Sequence, residues 1–192
     1  MQLPKAVLCV MTLTSPLPLA AESRLAPPAN PSEVARTASA VFIGRLMVMK
    51  SETLDNGTRQ EPLVVLTFTV ENLMKTHEST HEGATLASGR DVTEVNAADG
   101  NQPNSAIRDA KFALGERYLV FLAWDERNGL YWLHYGPYTV FRVEETVDKR
   151  PGAPSARLVP LFENTELAGK ALAMTKDTFM KEVQSGIRMQ KP

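Results

Sequence analysis

The sequence predicts a mainly β domain, a closed or nearly closed antiparallel barrel with a short helix before its first strand and an amphipathic helix at its end. Three observations predict this class. Residues 64–70 alternate with a period of two, and residues 118–124 form a short run apolar on both faces, two patterns of strands. Asn56-Gly57 and Arg127-Asn128-Gly129 stand between long β-branched or aromatic runs, where hairpin turns belong. Helical spacing is confined to the two ends of the domain.

The chain begins with "MQLPK", an apolar run "AVLCVMTLTSPLPLA" and the small residues of "LAAES". That order is the layout of a secretory signal peptide, assigned to residues 1–22 with cleavage near Ala21 or Ser23. Pro16 and Pro18 break the run well short of the ~20 apolar residues that a membrane-spanning helix needs. The expected location is therefore periplasmic or secreted, with no transmembrane segment in the mature chain. Cys9 is the only cysteine and is lost with the signal, so neither a disulfide nor thiol chemistry is expected. About 170 residues then remain, enough to bury about 70% of the unfolded surface without staples. The 192 residues include 21 Lys and Arg against 22 Asp and Glu, a net charge of -1, which argues against a nucleic-acid partner.

Residues 23–32, "SRLAPPANPS", form an extended leader because three prolines exclude regular structure. The single domain spans 33–190. Ser32 is the expected cap of a short helix over "SEVARTASA", and "VFIGRLMVMKSE" is the first strand. Across the Asn56-Gly57 turn, "LVVLTFTVENLM" is the second, with Val64, Leu66, Phe68 and Val70 on one face. The polar stretch 75–108 offers one or two weak strands in "ATLASGRDVTEVN" and a loop in "AADGNQPNSA". In "KFALGERYLVFLAWDE", Tyr118, Val120, Leu122 and Trp124 alternate with Leu119, Phe121 and Ala123. A strand apolar on both faces belongs at the centre of a sheet. "LYWLHYGPYTVFRVEE" follows, bent or bulged at Gly136-Pro137 and resuming over 138–144. "DKRPGAPS" is a loop and "ARLVPLF" a last short strand. In "TKDTFMKEVQSGIRMQ", Phe179, Val183 and Ile187 fall four apart behind a Thr175 or Asp177 cap. This helix is expected to close an open end of the barrel.

Residues 76–83, "THESTHEG", contain His77-Glu78-Ser79-Thr80-His81, a literal H-E-x-x-H. In zinc hydrolases that string works on a helix, where residues four apart present both imidazoles to one ion and the glutamate polarises a bound water. Along an extended strand the same two residues stand ~13 Å apart. Here the string follows a β run directly, and Ser79, Thr80 and Gly83 are poor helix formers with no apolar stripe beside them. A third histidine ligand six residues after His81 would fall at Ala87, and Glu94 is the available distant carboxylate. The string is therefore read as a polar connection, with no cofactor, no metal and no catalytic residues expected. The competing hydrolase reading would use His77 and His81 as ligands. Glu116 beside Tyr118 is a turn carboxylate before a strand rather than an acid pair. The aromatic run supplies the candidate ligand contacts Tyr131, His134, Tyr135 and Tyr138, against the plainer role of cross-strand packing.

Three phrases carry a family resemblance: "ASAVFIGRLMVM", a "VE-x-L-x-K" phrase at Val70-Glu71-x-Leu73-x-Lys75, and "F-x-x-G-E-x-Y-L-V-F-L" from Phe112 to Leu122. Together they span roughly residues 38–143. They resemble small exported bacterial β-barrel proteins of unknown function and, more loosely, netrin-like modules and tissue inhibitors of metalloproteases. The resemblance implies an OB-like barrel. It does not bring the inhibitors' mechanism, in which an amino-terminal cysteine chelates the target's zinc, because the mature chain has no cysteine. The expected function is a non-catalytic binding or interaction module for a protein or small-molecule ligand of the envelope. A zinc-dependent hydrolase and a structural accessory protein of the envelope, tethered by "APPANP", are the alternatives.

Overall fold

The computed structural model describes residues 26–55, 60–76, 94–99, 112–126, 130–146 and 156–189. The signal assigned to 1–22, the Asn56-Gly57 and 127–129 turns and the His77–His81 string lie outside the described residues.

Helix α1, Pro31–Thr37, is capped at Asn30 rather than at the expected Ser32. Pro31 occupies the first helical turn, where its fixed φ suits the helix and its missing N–H costs nothing. The Asn30 side chain makes no cap bond; its carboxamide oxygen accepts from Lys170 Nζ instead.

The strands are β1 (Ala40–Asp55), β2 (Gln60–Lys75), β3 (Glu94–Asp99), β4 (Arg117–Asp125), β5 (Leu130–Leu133), β6 (Phe141–Glu145) and β7 (Ala156–Pro160). They form one seven-stranded sheet in the order β1-β2-β3-β5-β4-β6-β7, and β1 also pairs with β4. β1 and β2 make a long antiparallel hairpin from Val41↔Lys75 to Asp55↔Gln60, with register shifts that bulge it near Gly44 and Met47. β4 lies antiparallel to β1, from Ala40↔Leu122 to Arg45↔Arg117. The sheet is not antiparallel throughout, as the sequence led us to expect: β3 and β5 pair in parallel at Ala97↔Tyr131. Part of the expected loop "AADG" is therefore strand, since β3 continues to Asp99.

The bend at Gly136-Pro137 is present and larger than a kink. After β5, residues Gly136–Thr139 form a 3-10 helix, entered through Tyr135 and Gly136 with φ of 60° and 65°. The chain resumes as β6 at Phe141, three residues later than expected, and rejoins β4 at Leu119↔Phe141.

Alternation divides the apolar residues between two cores. On one face of the sheet Phe42, Leu46, Leu66, Phe68, Tyr118, Val120 and Leu122 pack together, with Val64 and Val70 beside them. On the other, Val41, Ile43, Leu119, Phe121, Phe141, Val143 and Leu158 pack against helices. β4 serves both cores, as its doubly apolar sequence predicts. Gly44 lets β1 approach β2 at the bulge, since a Cβ there would stand 2.7 Å from the Thr69 carbonyl oxygen.

Two helices end the chain. α2, Glu166–Ala173, was not expected; Thr165 caps it by accepting from the Ala168 N–H at 3.1 Å. Its buried side is Leu167, Ala168 and Ala171, residues too small to write a strong period into the sequence. α3, Lys176–Arg188, starts at the expected Thr175 cap, which accepts from Thr178 N–H at 3.2 Å. It does not plug an end. Phe179 and Val183 lie in the core on the helix side of the sheet, with the Phe141 and Phe179 rings 5.2 Å apart. α3 also crosses α1 at Gly186, where a Cβ would stand 1.9 Å from the Ser32 carbonyl oxygen. No helix among the described residues is long and apolar enough to cross a membrane.

Candidate functional site

The aromatic segment is divided among three surroundings rather than gathered on one face. Tyr131, 5% exposed, packs into the core with Phe42 and Phe68 with its ring 4.8 Å from Trp124, and its hydroxyl has no hydrogen-bond partner among the described residues. Tyr138 contacts Phe162 at 5.0 Å. His134 and Tyr135 stay together, their rings 4.2 Å apart, beside the end of α1.

At that helix end the Lys75 ammonium donates to the carbonyls of Ala35, Arg36 and Ala38, closing the last turn of α1. A cation belongs there, among carbonyls with no partner inside the helix. Thr37 Oγ1 lies 3.1 and 3.2 Å from the Glu33 and Val34 carbonyls and 2.9 Å from His134 Nε2. A hydroxyl has one proton to share among these three acceptors. When that proton goes to a carbonyl the imidazole donates from Nε2 to Thr37, and in either tautomer this contact holds the ring against the end of α1. Burial, and secondarily the charge of Lys75, lower the His134 pKa to about 4. Burial also lowers that of Lys75. At neutral pH this is a neutral, pinned histidine, suited to packing and poorly suited to proton transfer.

A second constellation was not visible in the sequence. Three strands carry apolar pairs into the helix-side core and place a charged residue next on the same face: Val41 and Ile43 lead to Arg45, Phe121 and Leu119 to Arg117, Phe141 and Val143 to Glu145. Register sets Arg45 directly opposite Arg117. Two like charges across a ladder repel, and Glu71 resolves the conflict by bridging them, with Oε1 3.1 Å from Arg45 and Oε2 2.6 Å from Arg117. Arg117 also reaches Glu145 at 3.3 Å. On the opposite face Arg142 sits across from Tyr118 and donates to Glu144, which also accepts from Arg157 at 2.6 Å. The Arg157 bond leads the effects that hold the Glu144 carboxyl below its ordinary pKa.

Between these groups lies an open cleft of about 470 Å³ lined by Arg45, Gly115, Glu116, Arg117, Arg142 and the residues 143–145. One wall is the turn before β4. Gly115 adopts φ +82°, its N–H donates to the Leu46 carbonyl at 2.7 Å, and its carbonyl accepts from Arg45 Nη1 at 2.6 Å. Tyr118 closes the turn by accepting from the Ala113 N–H at 2.8 Å, while its ring contacts Phe112 at 5.5 Å. The "F-x-x-G-E-x-Y" phrase is thus a turn with a left-handed glycine, pinned by its tyrosine. Arg142 Nε is buried and has no partner.

No protein-family model matches the chain, and no curated protein matches it. Neither His77 nor His81 falls within the described residues, among which no group of three or more His, Cys, Asp or Glu could hold a metal ion.

Proposed function

We propose that this chain is an exported, non-catalytic binding module built on an OB-like barrel, with the arginine–glutamate cleft as its ligand site. The signal-like amino terminus supports export. Strand pairing supports the barrel: β1 pairs with β2, β2 with β3, β3 with β5, β5 with β4, and β4 again with β1. In that arrangement β6, β7 and the helices lie outside the ring, and the cleft opens where β4 begins and β6 ends, beside Arg45 of β1.

The observation that carries the function is the convergence of Arg45, Arg117 and Arg142 on one open cleft. Guanidiniums keep their charge and protons across the physiological range, so they hold and orient ligands but do not shuttle protons. The neutral His134 is turned toward Thr37, away from such a role.

The test is to purify the mature chain from its own envelope and assay the same sample for released small molecules and for metal. The expected result is a molecule recovered with the wild type and lost with Arg142→Gln, without stoichiometric zinc. Stoichiometric zinc lost on His77→Ala, with chelator-sensitive hydrolysis, would overturn the assignment in favour of the hydrolase.

A further inference from the structure

We infer that the cleft takes a small oxyanion, a single carboxylate or phosphate group, held between Arg45, Arg117 and Arg142. The inference rests on the cleft being the binding site and adds the chemistry of what enters it.

Donor and acceptor supply in the cleft are unequal. A guanidinium carries five N–H donors and no acceptor. Arg45 uses Nη1 on Gly115 and Nη2 on Glu71; Arg117 uses Nε on Glu71 and Nη1 on Glu145; Arg142 uses Nη2 on Glu144. No bond among the described residues engages Arg45 Nε, Arg117 Nη2 or Arg142 Nη1, and Arg142 Nε is buried without a partner. The half-buried carboxylates are already committed. Glu71 places one oxygen on each of two arginines, and Glu144 does the same for Arg142 and Arg157. Four guanidiniums thus share two carboxylates, and among the described residues Glu145, whose side chain is 78% exposed, pairs with Arg117 alone. What these remaining N–H groups lack is an anionic acceptor within reach.

Other ligand chemistries fit less well. A cation would find uncommitted carboxylate oxygens only at the exposed rim, on Glu116 and Glu145, and would meet three guanidiniums that repel it. A sugar would need donors and acceptors interleaved, and the free groups here are donors. A long polyanion would meet the exposed Glu116 and Glu145 at the rim and be repelled. One small oxyanion reaches the guanidiniums past these carboxylates, and planar forks suit a carboxylate or phosphate.

The test follows the Nε–Hε resonances of Arg45, Arg117 and Arg142 by NMR in the intact mature protein. Acetate, inorganic phosphate, glucose, ethylammonium and chloride are titrated separately at constant ionic strength. Saturable shifts with acetate, with phosphate or with both support the inference, and the two arms distinguish the sources. Arg142→Gln should weaken that binding about tenfold or more, the loss of a charge-assisted bond. Glu145→Gln, at an exposed rim position, should tighten it about twofold by removing a like charge. That gain cannot arise from misfolding. Saturation with glucose or ethylammonium, and not with either oxyanion, overturns the oxyanion and leaves the cleft a binding site. A response no different from that to chloride also overturns the oxyanion. Silence toward every compound overturns both the oxyanion and the cleft.

Discussion

His134 and Glu144 both tie stability to pH, in separate windows. The folded His134 titrates at about 4 against an ordinary 6.5, chiefly because burial disfavours the charged ring. Between those values the unfolded chain holds a proton that the folded chain refuses, so stability falls as pH drops through the window. Above about 6.5 both states are neutral and nothing is lost. Glu144 has a folded pKa depressed below 4.5, first by the Arg157 hydrogen bond. Its contribution is complete above the ordinary carboxylate value and disappears as pH falls through the lower folded one. Thermal melts across an acid series should therefore show a first decline below about 6.5 that His134→Gln removes, and a second below about 4.5 that Glu144→Gln removes. Superimposable melts of the wild type and His134→Gln through the first window would mean that the ring is solvated and the contact with Thr37 is not made.

Two glycines put the helices to an opposed test. Gly169 in α2 has nothing within 4 Å of a built Cβ, whereas at Gly186 in α3 that atom would stand 1.9 Å from the Ser32 carbonyl oxygen. Alanine removes the conformational freedom of glycine, so Gly169→Ala should stabilise by about 0.5–1 kcal/mol. Gly186→Ala should instead destabilise by about 1–3 kcal/mol, because the obstacle is backbone and α1 must move away. Equal effects in denaturant unfolding would remove the close α1–α3 crossing. The same pair shows what was legible. α3 could be read because Phe179, Val183 and Ile187 mark one stripe with a large residue at each turn. α2 could not, because its buried Ala168 and Ala171 look no different from linker residues and Gly169 argues against a helix. β2 was readable from alternation over several residues, and β4 from a run apolar on both faces. The parallel pairing of β3 with β5 was not, because it joins segments over thirty residues apart that no local pattern links. The cleft was hidden for the same reason. Glu71, Arg117 and Glu145 come from three strands, and each alone is an ordinary charged residue of a strand. The available signal was positional: Arg45, Arg117 and Glu145 each continue the buried face of their own strand past the point where it leaves the core.

At the scale of the molecule, the question is whether two cores make one cooperative unit. They share β1, β4 and no side chain: Val41, Ile43, Leu119 and Phe121 face the helices, while Phe42, Leu46, Tyr118, Val120 and Leu122 face inward. The backbone of β4 is thus the common wall, bonded to β1 on one side and to β5 and β6 on the other. The helix-side core cannot loosen without releasing Phe121 and Phe141, whose rings meet edge to face at 6.4 Å, and that frees β4 from the inner core as well. Phe121→Ala should cost about 3 kcal/mol or more, as should Phe68→Ala on the opposite face. Each should move the whole transition. Both tryptophans lie in β4 and β5, so their fluorescence reports the sheet, while circular dichroism at the helical minimum reports α1, α2 and α3. The two signals are expected to fall together in the wild type and in both variants, because the shared strands make separate melting costly. Helical signal lost ahead of fluorescence in Phe121→Ala would show the helices to be an independently melting layer, with β4 standing without them.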